Sequence, residues 1–297
     1  MSSSAGAPNA LRVICVIYNP GQELVEFATS LRTATSRPTE LVLVNNGGPS
    51  DVAEGLARDP GTRLVESGGN LGYGRAANLG ARGADGEWIV VANPDLVWAP
   101  GSLDALVAAG ARHDRAGALG PRILNTDGTE YPSARAIPSL RLGAGHALLS
   151  KVWPENPYSR AYRNANAPGD TTERVAGWLS GACLVLRRDA FEQVGGFDEG
   201  YFMFFEDLDL GDRLNQAGWT NVFVPSAEVT HVQGVSWKKD PAPMIRAHHV
   251  SAHRYLTRRY DAWYQAPLRW ALTAGLLVRE RLEIRSARRR RPTDAAQ

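Results

Sequence analysis

The sequence predicts an α/β fold, with a doubly wound, mainly parallel sheet and a helical C-terminal extension. Three observations point to it. Short apolar runs alternate with amphipathic helical stretches over residues 11–120, and right-handed crossovers turn that alternation into a parallel sheet. Small polar residues follow the predicted strands, and residues 241–285 carry helical patterns alone. At 297 residues, 43% of them hydrophobic, the chain is long enough to bury such a core.

The first half supplies the predicted parallel strands and their crossover helices. The strands are residues 12–17, 41–44, 63–65, 88–92 and 118–119, and the helices are residues 22–33, 50–58, 74–83 and 101–113. Ligands of such sheets bind at the carboxyl ends of the strands. Those ends carry Tyr18-Asn19-Pro20, Asn45-Asn46 and Asn93-Pro94-Asp95, so we expect the binding site along this edge.

A glycine-rich turn follows the third strand and opens a helix. Gly72-x-Gly74-x-x-Ala77, with Asp95 further on, fits a dinucleotide-binding fingerprint. An NAD-linked oxidoreductase is therefore one hypothesis, although the fingerprint normally follows the first strand. Glycines and Arg75 at a helix start also suit any diphosphate, and a purely structural turn is a further alternative.

The second half mixes an irregular segment with further strands and helices. Residues 121–174 lack periodicity and are too long for an idle loop, which predicts a functional segment. The elements expected after it are a strand-like run at 175–186, a helix at 189–194, an acidic helix from about 207 to 216, and strands at 221–224 and 228–232.

Carboxylates cluster directly after the aromatic run 201–205. Helix capping explains one acid at a helix start, but not the three acids Glu206, Asp207 and Asp209. We expect Asp209 to pair with Arg213, which leaves Glu206 or Asp207 to act as a general base.

Asp95 and His231 each end a predicted strand. A carboxylate and a neutral imidazole are candidate ligands for a divalent metal. Taken singly, a strand-end aspartate more commonly forms a turn.

Charge and composition exclude several classes of protein. The 33 basic and 31 acidic residues leave a net charge of +2, which gives no reason to expect nucleic-acid binding. Cys15 and Cys183 lie in apolar runs and are predicted to be buried free thiols in a reducing compartment. Residues 1–10 resemble no signal peptide and are expected to be disordered. No run approaches the ~20 apolar residues that span a bilayer.

The C-terminal region combines aromatic and basic residues. Trp263, Tyr264 and Trp270 alternate with arginines in the helical segment 241–285, and a basic tail expected to be disordered occupies residues 286–297. The pattern fits an interfacial helix on an anionic membrane surface. A packed helix pair that forms a homodimer is the alternative.

Together these segments resemble glycosyltransferase family 2, over residues 12–237. Seven motifs occur in the family's order: Val16-Ile17-Tyr18-Asn19, Asn70-Leu71-Gly72-Tyr73-Gly74, Asn93-Pro94-Asp95, Ser180-Gly181-Ala182, residues 195–199, residues 206–209, and His231-x-x-Gly234-x-Ser236. The resemblance implies the GT-A fold. Residues 11–120 would form the nucleotide-sugar-binding half, and residues 121–240 the acceptor-binding and catalytic half.

The resemblance also implies residue roles. It makes Asp207 the catalytic base and places Mg²⁺ or Mn²⁺ on Asp95 and His231. The implied donor-binding residues are Tyr18, Asn19, Asn45, Asn46, Gly72, Arg75, Asn93 and Asp95, and the implied acceptor-binding residues are Trp178, Ser180, Gly181 and Glu206. Two positions depart from the family pattern: Asn93 replaces an acid of the Asp-x-Asp motif, and Asn45 stands where many relatives carry an aspartate that binds the donor base.

The Asn-Pro-Asp and Phe-Glu-Asp-Leu-Asp-Leu motifs are most similar to the rhamnosyltransferase branch of that family. This likeness implies inverting transfer of L-rhamnose from dTDP-rhamnose to N-acetylglucosamine on a polyprenyl diphosphate, in cell-wall linker (arabinogalactan) synthesis. The expected location is cytoplasmic, peripheral at the inner face of the plasma membrane. The competing hypotheses are an NAD-linked oxidoreductase and a catalytically inactive sugar-nucleotide-binding protein.

Overall fold

A computed structural model of the protein describes residues 10–138, 171–232 and 241–289. One twisted sheet organises it, with strand order β3-β2-β1-β4-β11-β6-β12-β5. Its strands, with the short flanking ones, are β1 Leu11–Ile17, β2 Thr39–Asn45, β3 Thr62–Glu66, β4 Trp88–Ala92, β5 Leu96–Trp98, β6 Ala116–Asn125, β7 Glu130–Tyr131, β8 Ala134–Arg135, β9 Arg174–Ala176, β10 Trp178–Leu179, β11 Cys183–Arg187 and β12 Thr220–His231.

The predicted α/β fold class is confirmed. Strands β3, β2, β1 and β4 run parallel. Strand β11 joins them antiparallel, between β4 and β6, and β6 and β12 form a second parallel pair. The result is a mixed, mainly parallel sheet whose first four strands end at one edge.

Helices cover both faces of the sheet. They are α1 Glu23–Ala34, α2 Asp51–Leu56, α3 Tyr73–Ala81, α4 Ser102–Arg112, α5 Arg188–Gln193, α6 Glu206–Gln216, α7 Pro241–Arg259 and α8 Ala266–Arg289. Phe27 of α1 and Leu103 of α4 are fully buried on one face. Ala76 of α3, Phe191 of α5 and Leu210 of α6 are buried on the other. Burial of these apolar faces is the main force that holds the layers together.

Three strand predictions differ from the structure for reasons of tertiary pairing. The run predicted at 175–186 divides into β9, β10 and β11. The strands predicted at 221–224 and 228–232 are one strand, β12, with a register shift between Val224 and Glu228, where Pro225 and a bulge interrupt the ladder. Strand β6 is longer than the predicted 118–119 because β11 and β12 pair with it on both sides.

The C-terminal helices α7 and α8 pack against each other. Helix α7 buries Ala252 and Tyr255, and α8 continues to Arg289, beyond the predicted boundary at 285. Among the described residues, no helix is long and apolar enough to cross a membrane. Cys15 and Cys183 are buried free thiols, as predicted.

Some predictions concern residues outside the described ranges. These are residues 1–9 of the N-terminus that we expect to be disordered, residues 139–170 of the irregular segment, Gly234 and Ser236 of the histidine motif, and residues 290–297 of the basic tail.

Candidate active site

The polar residues predicted at the strand ends lie along one edge of the sheet. Ile17, Asn45 and Glu66 are aligned in register across β1, β2 and β3, and Tyr18 and Asn19 directly follow β1. Asn46 is buried and holds the glycine turn: its Nδ2 donates to Asn70 Oδ1 and to the Gly72 carbonyl, and its Oδ1 accepts from Leu71 N at 2.8 Å.

Gly72 and Arg75 contact protein groups at the glycine turn. Gly72 has φ +83°, and a Cβ there would overlap the Phe202 carbonyl oxygen, which accepts a hydrogen bond from Tyr73 N. The glycine therefore allows the turn to pack against the segment that precedes α6. Arg75 forms an exposed ion pair with Glu199 at 3.4 Å.

The two predicted metal ligands are in direct contact. His231 Nε2 lies 3.0 Å from Asp95 Oδ1 and 3.4 Å from Asn93 Nδ2. Strand pairing causes this approach, because His231 at the end of β12 is opposite Leu96 of β5. Both side chains are largely buried.

A carboxylate and an imidazole suit Mg²⁺ or Mn²⁺. In residues 10–138, 171–232 and 241–289, no group of three or more His, Cys, Asp or Glu side chains could hold a metal ion. Asp95 and His231 would supply two ligands to such a cation, and oxygens of a bound diphosphate and water would supply others. The residues present fit a metal that binds together with its nucleotide.

Asp207 accepts two backbone hydrogen bonds at the start of α6. Its Oδ2 accepts a hydrogen bond from Gly181 N and its Oδ1 accepts one from Leu208 N, both at 2.8 Å. Burial raises the pKa of Asp207, while these hydrogen bonds and the charge of Arg135 act to lower it. The lack of a side chain at Gly181 permits this close approach. A Cβ there would lie only 3.2 Å from Asp207 Cβ.

Glu206 has a different environment from its neighbour. It is 7% exposed, and its Oε2 has no hydrogen-bond partner among the described residues. Burial, and then the charge of Asp207, raise the pKa of Glu206 to about 8. At neutral pH Glu206 therefore carries its proton, whereas the hydrogen bonds from two backbone N–H groups favour the ionised form of Asp207.

A pocket of about 750 Å³ opens onto these groups. The predicted site residues that line it are Asn93, Trp178, Ser180, Gly181, Glu206, Asp207 and His231. Asp95 does not line the pocket but contacts His231, which does. The lining also lacks the other predicted donor-binding residues, Tyr18, Asn19, Asn45, Asn46, Gly72 and Arg75.

Sequence reasoning missed Arg135. It is the only arginine or lysine among the described residues that line the pocket. Its guanidinium lies over the rings of Trp178 and Tyr131 and donates to the Tyr131 hydroxyl. The irregular segment 121–174 was predicted to be functional, but its lack of periodicity gave no means of choosing a residue within it.

Helix α7 supports the turn that precedes the acids. Phe204 and Phe205 both have positive φ, 66° and 67°, a conformation that is strained for bulky residues. The His248 ring packs edge-on against both phenyl rings, and Ser251 Oγ donates to the Met203 carbonyl at 2.7 Å. Contacts from α7 thus hold the strained turn that positions Glu206 and Asp207.

Comparison with known proteins identifies relatives of this site. The family model described as glycosyl transferase family 2 matches residues 12–195, and the model described as glycosyl transferase family group 2 matches residues 159–291. The chain is 48% identical over 294 residues to the N-acetylglucosaminyl-diphospho-decaprenol L-rhamnosyltransferase of Mycobacterium tuberculosis, and the alignment covers 95% of each protein.

Solved structures with low sequence identity share the fold. GalNAc-T7 with UDP, GalNAc and Mn²⁺ superposes with a TM-score of 0.61 at 17% identity, over 86% of this chain and 49% of that one. The mannosyltransferase PcManGT of Pyrobaculum calidifontis with GDP-Man and Mn²⁺ gives 0.57 at 16% identity, over 95% and 74%. The fold is of the GT-A type.

Proposed function

The chain belongs to glycosyltransferase family 2, and from that premise we propose that it transfers L-rhamnose from dTDP-rhamnose to N-acetylglucosamine on a polyprenyl diphosphate. The observation that carries this proposal is the 48% identity, over 95% of both chains, to an enzyme whose name gives that acceptor and that sugar. Family membership favours sugar transfer over the nicotinamide chemistry that the glycine turn left open.

Asp95 and His231 would hold the divalent metal, Mg²⁺ or Mn²⁺, against the donor diphosphate. When bound, such a cation neutralises charge that builds on the departing phosphate. The contact between these two residues at 3.0 Å, and the Mn²⁺ bound in two structures of the same fold, support this assignment. Asn93, within hydrogen-bond distance of His231, orients the imidazole.

Asp207 acts as the base of an inverting single displacement. The acceptor hydroxyl attacks the anomeric carbon, the bond from that carbon to the nucleoside diphosphate breaks, and the hydroxyl proton passes to Asp207. The hydrogen bonds from Gly181 and Leu208 fix the carboxylate and keep it ionised. Protonated Glu206 provides the neighbouring hydrogen-bond donor for the acceptor sugar.

Arg135 supplies a positive charge for the acceptor diphosphate. Trp178 and Tyr131 hold the guanidinium at the pocket wall, and arginine binds phosphate oxygens through paired N–H groups. Trp178, Ser180 and Gly181 line the same pocket and would contact the acceptor sugar.

The helices α7 and α8 would bring this site to an anionic membrane, at the inner face of the plasma membrane. Trp263, Tyr264 and Trp270 are 86%, 67% and 76% exposed, and α8 carries several arginines on the same region. Exposed aromatic residues beside arginines suit the headgroup layer of anionic lipids.

Flotation on vesicles tests the membrane contact. The wild type should float with phosphatidylglycerol vesicles, and the double variant Trp263→Ala/Trp270→Ala should float much less, whereas the control Val175→Ser, at an exposed valine on β9, should not change. Equal flotation of both variants would show that Trp263 and Trp270 do not contribute to lipid binding. A lower molecular mass in the double variant would instead indicate a homodimer.

Thermal stabilisation tests the donor. A ligand that binds only the folded protein raises its melting temperature, so dTDP-rhamnose should do so with Mn²⁺ or Mg²⁺ and fail with a chelator. A shift with another nucleotide sugar alone would change the donor. A metal-independent shift with NADH alone would contradict the proposal.

A further inference from the structure

Asn45 has no amide group left for the donor base. It is 1% exposed at the end of β2. Its Nδ2 donates to both carboxylate oxygens of Glu66, at 3.0 and 3.1 Å, and to the Gly48 carbonyl at 3.0 Å. Its Oδ1 accepts from Gly47 N. The buried Asn45 amide is therefore directed at protein groups.

Glu66 presents the carboxylate that Asn45 lacks. It is the last residue of β3, it is paired in register with Asn45, and it is exposed. The Asn45 amide fixes the carboxyl group but uses only part of its capacity, since two carboxylate oxygens together accept about four hydrogen bonds. Acceptor sites on Glu66 remain available to a ligand at the carboxyl edge of the sheet, where ligands of such sheets bind.

Tyr18 provides an aromatic surface at the same edge of the sheet. It follows β1, and its side chain is 57% exposed. Two strand spacings, about 10 Å, separate the ends of β1 and β3, which leaves room for one base ring between Tyr18 and Glu66. Gly47 and Gly48, in the loop after β2, add no side chain to this edge. Exposed aromatic rings are surfaces on which nucleobases stack.

We propose that Glu66 accepts a hydrogen bond from the imide N3–H of a pyrimidine base in the donor, thymine or uracil, while Tyr18 contacts the face of that base. The inference rests on the proposed function, since it places the nucleotide of the sugar donor at this edge. The imide N–H is the one strong donor on the pairing edge of thymine and uracil. Cytosine has an acceptor at that atom, so Glu66 disfavours it.

The test is calorimetric binding of nucleoside diphosphates in the presence of Mn²⁺. The wild type should bind dTDP or UDP more tightly than dCDP. Glu66→Gln should weaken dTDP binding about tenfold, because a charge-assisted hydrogen bond becomes a neutral one. The matched control is Glu54→Gln, an exposed glutamate on α2, and it should bind dTDP as the wild type does.

N3-methyl-dTDP adds a second arm, because it lacks the imide proton. Methylation should weaken binding to the wild type about tenfold and have little further effect on Glu66→Gln, since both changes remove the same hydrogen bond. Equal loss on methylation in both proteins, or unchanged dTDP binding by Glu66→Gln, would overturn the proposal. So would a wild type that prefers dCDP or GDP.

The outcomes separate this inference from the proposed function. If the wild type binds dTDP and Glu66→Gln binds it equally, only the inference fails. If the wild type binds UDP but not dTDP, and Glu66→Gln loses UDP, the inference stands and the rhamnose donor is wrong.

Discussion

At the scale of residues, two adjacent acids differ in burial contacts and in hydrogen bonding. Asp207 accepts two backbone N–H bonds and lies near Arg135, whereas Glu206 is buried with an oxygen that has no described partner. Two carboxyl groups in different environments therefore stand side by side at the start of α6. This division follows the general rule that environment, and not residue type, assigns acid and base roles.

The raised pKa of Glu206 predicts a pH-dependent loss of stability. Its carboxyl group titrates near 4.5 when unfolded and at about 8 when folded, so between these values the folded state binds the extra proton. The free energy of unfolding then falls as pH rises through this window, by at most about 1.4 kcal/mol per pH unit. Glu206→Gln should flatten that slope.

Chemical denaturation at several values between pH 5 and 8 measures the effect. The control Glu192→Gln, at an exposed glutamate on α5, should keep the wild-type slope. If Glu206→Gln lost stability with pH as steeply as the wild type, the folded protein would not carry the extra proton at Glu206.

At the scale of elements, the active site depends on contact between two loops. In the glycine turn before α3, Gly72 packs against the Phe202 carbonyl. The Tyr73 backbone N–H donates to that same oxygen, and the Tyr73 hydroxyl donates to the Gly181 carbonyl. The turn therefore holds both the approach to α6 and the segment that carries Gly181. The sequence left a phosphate-binding turn and a purely structural turn both open for these glycines, because a contact across the fold leaves no local pattern.

Gly72→Ala should destabilise the protein more than Gly68→Ala. Both residues have positive φ, 83° and 79°, but an alanine Cβ at Gly68 would meet nothing within 4 Å. The Gly68 variant should therefore lose only the conformational preference, about 1 kcal/mol, and the Gly72 variant should lose at least about 1 kcal/mol more through the displaced carbonyl. Urea denaturation compares the two; equal losses would mean that the Phe202 contact adds no stability.

Helix α7, in the C-terminal extension, also contacts α6 and the turn before it. Tyr255 donates to buried Asp212 of α6 at 3.0 Å, and His248 and Ser251 contact the turn before α6. The helices expected to meet the membrane are thus packed directly against the helix that carries Asp207, the proposed base. The predicted Asp209–Arg213 pair, at 2.6 Å, is confirmed and stabilises α6 itself.

At the scale of the whole molecule, periodicity was sufficient to predict the parallel half of the fold. Strands β1 to β4 and their helices are local patterns with clear turn residues between them. The antiparallel insertion of β11, the single bulged strand β12 and the long β6 depend on pairing between distant segments, which no local window contains.

Only the part of the candidate site that lies in local sequence patterns could be predicted. Asp95, His231 and Asp207 stand at element ends with recognisable neighbours, and the structure brings Asp95 and His231 into contact. Arg135 and Glu66 carried no motif. Their positions depend on tertiary contacts, with Trp178 in one case and Asn45 in the other.

Metal-dependent rhamnosyl transfer by this chain, with Asp207 as the base, can be measured directly. The measurement is transfer of labelled rhamnose from dTDP-rhamnose to polyprenyl-diphosphate-linked N-acetylglucosamine, for the wild type, Asp207→Asn and the control Asp114→Asn, an exposed turn residue. The wild type and the control should form product with Mn²⁺ or Mg²⁺ and none with a chelator. Asp207→Asn should lose at least about 100-fold in turnover while it still binds dTDP. Product formed equally with chelator, or by Asp207→Asn at the wild-type rate, would contradict the account.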